Sequence, residues 1–215
     1  FAWNFEAGVV KEVAQQYRVE LNAFHTILTD AIVRRPATFN GQATIEFDGV
    51  PSQVEALQNV ANATVWGLQA GLRVHLSRSL YLQSNANWID GKETDDAKNE
   101  QVALRHAPPF YGSTHLHWVN KGLHLEAYAI YNGTVSNKEL APSEQAKVDI
   151  YAKDDNGLPY APGWATVNFK ASYAVTKQLT LSAGWENITD QRYRPYSSGI
   201  VAAGSNIIVA MRATL

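Results

Sequence analysis

Apolar and polar residues alternate along three stretches of the last quarter of the chain, residues 164–215, with Ile208 as the one exception. Between Ala165 and Val175 every second residue is apolar or aromatic, and Thr166, Asn168 and Lys170 lie among the residues between them. The stretches 179–186 and 206–215 repeat this pattern. Alternation with a period of two predicts β-strands that have one apolar and one polar face. What such a chain folds into therefore depends on what covers the apolar faces.

The same alternation recurs along all 215 residues and predicts nine strands. They are expected at residues 3–13, 17–34, 59–76, 80–88, 110–119, 123–131, 164–175, 179–186 and 206–215. A bulge is expected near Phe24 and His25, and a small hairpin near Thr44 to Phe47. Short turns at 14–16, 77–79, 120–122 and 176–178 alternate with long loops at about 36–57, 90–109, 132–163 and 187–205. Barrels of the bacterial outer membrane have this asymmetry, with short periplasmic turns and long extracellular loops.

Composition narrows the classes of protein to which the chain can belong. The net charge is −2 and charged residues make up 18% of the chain, below the roughly 25% of soluble domains. Without a basic excess, no nucleic-acid partner is predicted. Cysteine is absent, so disulfides are excluded. No apolar run reaches the ~18 residues of a membrane-spanning helix, but a transmembrane β-barrel has no such run either.

The apolar faces are predicted to contact lipid. The opposite faces are rich in Asn, Gln, Ser, Thr and Gly, whereas solvent-exposed faces usually carry many lysines. Aromatic residues concentrate near strand ends, as in the interfacial girdles of membrane barrels; they include Trp3, Phe5, Trp66, Trp88, Trp118, Tyr131, Trp164, Tyr173 and Trp185. Lipid is expected on the side of Val167, Leu181 and Val209, and the lumen on the side of Asn168, Glu186 and Arg212.

Nine strands do not make a complete barrel, because bacterial single-chain barrels have an even number of strands. The chain also begins inside a strand, at Phe1, and without Met. We therefore expect residues 1–215 to be the C-terminal portion of a larger antiparallel transmembrane β-barrel. The last strand, ending at Leu215, would then form the seam with a first strand outside this sequence.

One tract resembles a known family. Residues 186–193 read ENITDQRY, and they are followed by Arg194-Pro195-Tyr196, a loop with glycine, and a final alternating strand. This order is similar to the C-terminal end of TonB-dependent outer-membrane receptors. Weaker similarities are Pro108-Pro109-Phe110-Tyr111-Gly112 and Pro162-Gly163-Trp164. The family usually ends in an aromatic residue, whereas this chain ends in Leu215.

The resemblance implies the last nine strands of a plugged barrel of the 22-stranded type. It implies active import of a scarce, bulky ligand, such as a ferric siderophore, haem, cobalamin or an oligosaccharide, across the outer membrane of a Gram-negative bacterium. The implied partners are outer-membrane lipid, the receptor's own N-terminal plug domain, and TonB of the inner-membrane energy complex. The plug and the earlier strands are not in this sequence.

Two other functions stay open. One is a passive porin or structural β-barrel, and the other is a soluble ligand-binding β-domain. An enzyme is not predicted, because no G-x-S-x-G, H-E-x-x-H or paired-carboxylate motif is present. No cofactor is predicted.

Ligand contacts are expected in the long loops and the adjoining strand ends, because loops on a rigid scaffold commonly carry binding. Arginine suits carboxylates and phosphates, and aromatic rings stack on sugars or catecholates. The alternative is that these are ordinary solvated or interfacial residues. The candidates are Arg34, Arg35, His106, Tyr111, Tyr151, Tyr160 and Trp164.

A histidine cluster is expected near the turn at 120–122, which folds two strands together. His115, His117, His124 and Glu126 would all face the lumen near its periplasmic end. Such residues bind transition metals or sense pH. Polar residues are the default lining of a barrel lumen, however, so contact with the plug is the simpler interpretation and no metal site is assigned from sequence.

Overall fold

A single antiparallel sheet of nine consecutive strands makes up most of the molecule, with one short strand attached. The computed structural model describes residues 1–95, 100–147 and 149–214, and for residues 33, 34, 59–61 and 95 it describes the backbone alone. The strands of the sheet are β1 (Ala2–Val13), β2 (Tyr17–Pro36), β5 (Glu55–His75), β6 (Leu80–Asp95), β7 (Glu100–Ala103), β8 (Tyr111–Asn120), β9 (Leu123–Asn132), β12 (Trp164–Ala174), β13 (Leu179–Glu186) and β14 (Asn206–Ala213).

The remaining elements lie in the long loops. They are the hairpin strands β3 (Thr44–Phe47) and β4 (Val50–Gln53), a 3₁₀ turn (Asn137–Glu139), the one-turn helix α1 (Pro142–Gln145), and the hairpin strands β10 (Ala152–Lys153) and β11 (Pro159–Tyr160). The described helices are too short to cross a membrane.

The nine predicted strands and their alternating connections are confirmed. Each long strand pairs with the next one along the chain, in the order β1-β2-β5-β6-β8-β9-β12-β13-β14. All four short turns therefore lie at one end of the sheet, the turn end, and all four long loops lie at the other, the loop end. The predicted seam residue Leu215 lies outside the described residues.

Several strands are longer than predicted at the loop end. Strand β5 begins at Glu55, and the predicted loop 36–57 shortens to 37–54 with the expected β3–β4 hairpin inside it. Strand β6 continues to Asp95 and pairs with β7, so much of the predicted loop 90–109 is a hairpin. These extensions carry polar residues on both faces, which removes the alternation that marks a strand in the membrane. The bulge lies between Leu28 and Ala31, not near Phe24.

The burial of side chains on strand β12 is inverted relative to a soluble sheet. On this interior strand, Thr166 and Asn168 are 3% and 4% exposed, whereas the intervening Val167 is 48% exposed. Among the described residues, the hydrophobic core cluster lies in the loop region, around Leu140 and Tyr151, and not on the sheet. A soluble sheet would bury its apolar face under a second layer. The exposed apolar face is therefore a lipid-facing wall, and the alternative of a soluble β-domain is wrong.

Gly112 marks a close approach within this wall. A Cβ atom at Gly112 would lie 2.3 Å from the backbone oxygen of Asn85 and 2.7 Å from the ring of Tyr131. The Tyr131 hydroxyl donates a hydrogen bond to that same oxygen, at 3.2 Å, so the ring lies across the glycine. The side chain of residue 112 must therefore be a hydrogen atom.

Replacing Gly112 by alanine is expected to lower the yield of folded protein several-fold, because the backbone of β6 must move to admit the methyl group. Gly184→Ala is the matched control on the same sheet, since its Cβ would lie 3.8 Å from the Phe169 backbone oxygen, an ordinary van der Waals contact. Refolding yield in detergent, measured by far-UV circular dichroism and gel mobility, checks this. Equal yields for the two variants would contradict it.

Candidate functional site

The long loop between β9 and β12 folds into a compact unit at the loop end. Its core consists of Val135, Leu140, Tyr151 and Ala161, with Ile150 and Tyr196 packed against them. Ser136 starts the 3₁₀ turn, where its backbone N–H and hydroxyl both donate to the Glu139 carboxylate, at 2.8 and 2.6 Å. This is a capping box, which stabilises the first turn of a helix. Pro142 suits the first turn of α1, where no backbone donor is needed.

A buried carboxylate joins this unit to its neighbours. Glu144 is fully buried, and its Oε1 accepts hydrogen bonds from Arg105 at 2.7 Å and Lys147 at 2.8 Å. Its Oε2 accepts from the hydroxyls of Tyr151 at 2.6 Å and Ser197 at 3.1 Å. Arg105 and Ser197 belong to the preceding and the following long loops. Glu144 therefore ties three loops together.

The ionisation of Glu144 is set by these contacts. Burial by itself would raise the pKa of Glu144. Hydrogen bonds outweigh burial and lower the pKa from 4.5 to about 2, and their donors are Lys147, Tyr151, Arg105 and Ser197. Burial, and secondarily the bond to Glu144, raises the pKa of Tyr151. The stabilisation from the Glu144 charge is thus complete above pH 4.5 and is lost only as the pH falls through about 2.

The last long loop is fastened at both of its ends by the tract that resembles the receptor family. The Asn187 side chain donates to the carbonyls of Gln191 and Ala203, at 2.9 and 3.2 Å, and accepts the Gln191 N–H at 2.9 Å. The Asp190 carboxylate accepts the Ser205 N–H at 2.8 Å. The start and the end of the loop are thereby held together.

A pocket lies between this loop and the β9–β12 unit. Its volume is about 330 Å³. The rings of Trp164 and Tyr193 stack in its wall with centroids 3.9 Å apart. Arg194 donates to the backbone carbonyls of Asp149 and Ile150, both at 3.2 Å, which holds the two loops in register. Arg192, Arg194, Tyr151 and Tyr196 also line the pocket. The surface thus combines aromatic faces with cations, which suits a planar or anionic ligand.

The structure brings together some of the residues predicted from sequence to contact a ligand. Tyr151 and Trp164 line the pocket, and His106 approaches the Glu144 carboxylate at 3.4 Å. Tyr160 lies in β11, and Tyr111 begins β8. Arg35 lies at the loop end of β2, in register with Ala56. In the sheet, strands β5 and β6 lie between β2 and the strands that carry the pocket loops. The side chain of Arg34 lies outside the described part of the chain.

Sequence reasoning missed Glu144, Arg105 and the pocket residues of the last loop. Arg192, Tyr193, Arg194 and Tyr196 all lie in or directly after the family-like tract, which was the available signal. Nothing in the local sequence distinguishes Glu144 from a solvated loop residue. The predicted histidine cluster does form, on the polar face near the turn end, where Glu126 contacts His115 and His124 contacts His117.

Comparison with known proteins gives consistent results. The family model of the TonB dependent receptor-like β-barrel matches residues 1–188. No curated protein matches the chain. Among solved structures, the copper transporter OprC superposes with a TM-score of 0.72 at 14% identity, covering 99% of this chain and 30% of that one.

Two further solved structures match. A mutant of the ferric enterobactin receptor PfeA from Pseudomonas aeruginosa gives a TM-score of 0.69 at 16% identity, covering 99% of this chain and 31% of that one. The FrpB iron transporter from Neisseria meningitidis gives 0.70 at 13% identity, with the same shares covered. The chain thus spans less than a third of the length of the structures that it matches. It belongs to the TonB-dependent receptor family, as part of the β-barrel of a receptor in the outer membrane of a Gram-negative bacterium.

Proposed function

We propose that residues 1–215 are the C-terminal portion of the barrel domain of an active transporter. The receptor imports a bulky ligand with energy supplied through TonB, and it carries out no enzymatic reaction. The observation that carries this proposal is the family match over residues 1–188. In the whole receptor, an N-terminal plug fills the lumen against the polar face of this sheet, and earlier strands pair with β1 and β14. Unpaired backbone groups at those edges would otherwise cost several kcal/mol each in hydrocarbon.

The ligand class that fits best is a ferric siderophore. The pocket at the loop end presents the Trp164–Tyr193 stack beside Arg192 and Arg194. Aromatic faces stack on catecholate rings, and guanidinium groups attract the anionic iron complex. Several similar structures bear names such as siderophore receptor and ferric enterobactin receptor, which supports this choice over haem, cobalamin or an oligosaccharide.

Dependence on TonB tests the transport proposal. Cells that express the full-length receptor should accumulate ⁵⁵Fe from a ferric catecholate, and deletion of the tonB gene should abolish the accumulation. Uptake that persists without TonB would point to a passive porin instead. If the catecholate is not taken up, direct uptake of labelled haem, cobalamin or oligosaccharide by the same cells identifies the ligand class.

Trp164→Ala is expected to weaken binding of the ferric catecholate about 10-fold, because it removes an aromatic face from the pocket. Ligand affinity of the detergent-solubilised full-length receptor, measured by calorimetry, checks this. Trp118→Ala is the matched control, since Trp118 lies at the turn end of β8. Unchanged affinity in a folded Trp164→Ala receptor would place the ligand elsewhere.

A further inference from the structure

Three potential metal ligands meet on the polar face of strands β8 and β9. His115, His117 and Glu126 each offer one ligand atom, and these atoms all lie within 4.8 Å of one another. His117 and Glu126 are direct partners in the register of the two strands, and His115 is two residues from His117 along β8. Because side chains two residues apart point to the same face of a strand, all three project into the lumen near the turn end.

We propose that His115, His117 and Glu126 form a binding site for one divalent transition-metal ion of the Zn²⁺ or Cu²⁺ class. Two imidazoles and one carboxylate are a donor set that such ions accept, with a further position left for water or for a group of the plug. Around a tetrahedral ion with bonds of about 2.0–2.2 Å, ligand atoms lie about 3.4 Å apart. The longest separation in the cluster therefore needs to contract by at most about 1.4 Å, which is within the reach of side-chain rotation.

Neighbouring side chains already hold the ligands in place. The Nδ1 atom of His115 lies 2.7 Å from the Glu126 carboxylate, and its Nε2 lies 2.9 Å from the Ser113 hydroxyl. The Nδ1 atom of His117 lies 3.0 Å from Nε2 of His124, so the other ring nitrogen of His117, Nε2, is the one assigned to the ion. The bonds to Ser113 and His124 are of the kind that fixes the tautomer and the orientation of metal-binding imidazoles. The bond between His115 and Glu126 is replaced by bonds to the ion when both residues bind it.

Aromatic rings restrict the same imidazoles. Tyr81 stacks on His117 with ring centroids 4.5 Å apart, and Tyr128 stacks on His115 at 5.2 Å. The two imidazole rings are themselves nearly parallel, with an angle of 6° between their planes. A preorganised donor set loses less conformational entropy when an ion binds. This feature distinguishes the cluster from polar residues that merely line the lumen.

A neighbouring cation opposes metal binding, so its removal is expected to increase the affinity for the metal ion. Lys170 on β12 is the register partner of Glu126, and both line a shallow pocket on the polar face. Its charge competes with a metal ion for the carboxylate. Removal of this charge in Lys170→Gln should therefore strengthen metal binding, whereas loss of a ligand should weaken it.

The experiment uses the full-length receptor in detergent, purified without a polyhistidine tag, and titrates it with Zn²⁺ by calorimetry. We expect the binding of one Zn²⁺ ion to weaken at least 10-fold in His117→Ala and in Glu126→Gln, as is usual when a ligand or its support is removed. Lys170→Gln should bind a few-fold more tightly. His25→Ala, an exposed histidine on β2, is the matched control and should bind as the unaltered receptor does.

Electron paramagnetic resonance of bound Cu²⁺ gives a second measurement that does not depend on the folding of a variant. The unaltered receptor should show superhyperfine coupling to imidazole nitrogen. The proposal is overturned if this coupling is absent, or if His117→Ala and Glu126→Gln both bind Zn²⁺ as tightly as the His25→Ala control. The site is independent of which ligand is imported, so failure of the siderophore assay leaves this test unaffected.

Discussion

Glu144→Gln is expected to loosen the three long loops that meet at this carboxylate, without unfolding the sheet. Glutamine keeps the size of the side chain but removes its charge and replaces one acceptor oxygen by an NH₂ donor. Depending on the orientation of the amide, this donor faces either the Arg105 and Lys147 donors or the Tyr151 and Ser197 hydroxyls. Hydrogen bonds to a charged partner contribute about 1.5–3 kcal/mol each, so local opening should become roughly 100-fold more frequent. Hydrogen exchange followed by mass spectrometry, in the full-length receptor, measures this for peptides covering residues 136–161.

The matched control for this substitution is Glu46→Gln, because Glu46 is an exposed carboxylate of the β3–β4 hairpin at the same end of the sheet. Its exchange should not change, and neither should that of strand β12 in either variant. Equal protection of residues 136–161 in Glu144→Gln and the unaltered receptor would show that Glu144 does not hold the loops. Because Tyr151 and Ser197 line the pocket, the loosened variant should also bind the ferric catecholate more weakly.

Glu144 also shows where prediction from this sequence ends. The strands were predictable because each one alternates over eight or more residues, and the short and long connections then determine which strands are neighbours. The burial of Glu144 depends instead on Arg105 and Ser197, which lie 39 and 53 residues away. A one-turn helix such as Pro142–Gln145 has too few residues for a periodic signal. The loop fold is therefore a tertiary property that no local pattern contains.

The strand ends illustrate the same limit in another way. Alternation identified β6 only as far as Trp88, where the lipid-facing residues end, although the strand continues to Asp95. Beyond the membrane both faces of a hairpin contact water, so both carry polar residues and the period of two disappears. The pairing of Glu93 with Val102 shows that hydrogen bonding continues where the pattern has stopped. The alternation of apolar and polar residues thus predicts only the part of a barrel strand that lies within the membrane.

The family-like tract, residues 186–193, is the exception, because its local sequence does indicate tertiary contacts. Asn187 lies directly after β13 with a φ of 48°, a left-handed conformation that asparagine tolerates better than most residues. Its backbone N–H donates to the Asn168 side chain at 2.8 Å, while its own side chain bonds Gln191 and Ala203. Asn187 therefore links the end of a strand to both ends of the following loop, which explains why an asparagine suits this position.

Asn187→Asp is expected to break the hydrogen bonds that hold the two ends of the loop at 187–205 together, so that the loop opens more often. Aspartate has the same shape, but it cannot donate to the carbonyls of Gln191 and Ala203, and it places a negative charge against both oxygens in a buried position. The loss of two donors and the burial of an unpaired charge should cost about 2–4 kcal/mol. Hydrogen exchange of residues 188–204 in the full-length receptor should therefore become about 30- to 1,000-fold faster, at 1.4 kcal/mol for each factor of ten.

Asn120→Asp is the matched control, because Asn120 is exposed beside the tight turn between β8 and β9. It makes the same chemical change where water can solvate the new charge. Hydrogen exchange should therefore stay unchanged in residues 188–204 and in strand β13. If residues 188–204 exchange equally slowly in Asn187→Asp and Asn120→Asp, the Asn187 side chain does not hold the loop. If they exchange faster only in Asn187→Asp while β13 stays protected, the asparagine stabilises the loop and not the barrel wall. The pocket walls formed by Tyr193 and Arg194 then depend on this asparagine.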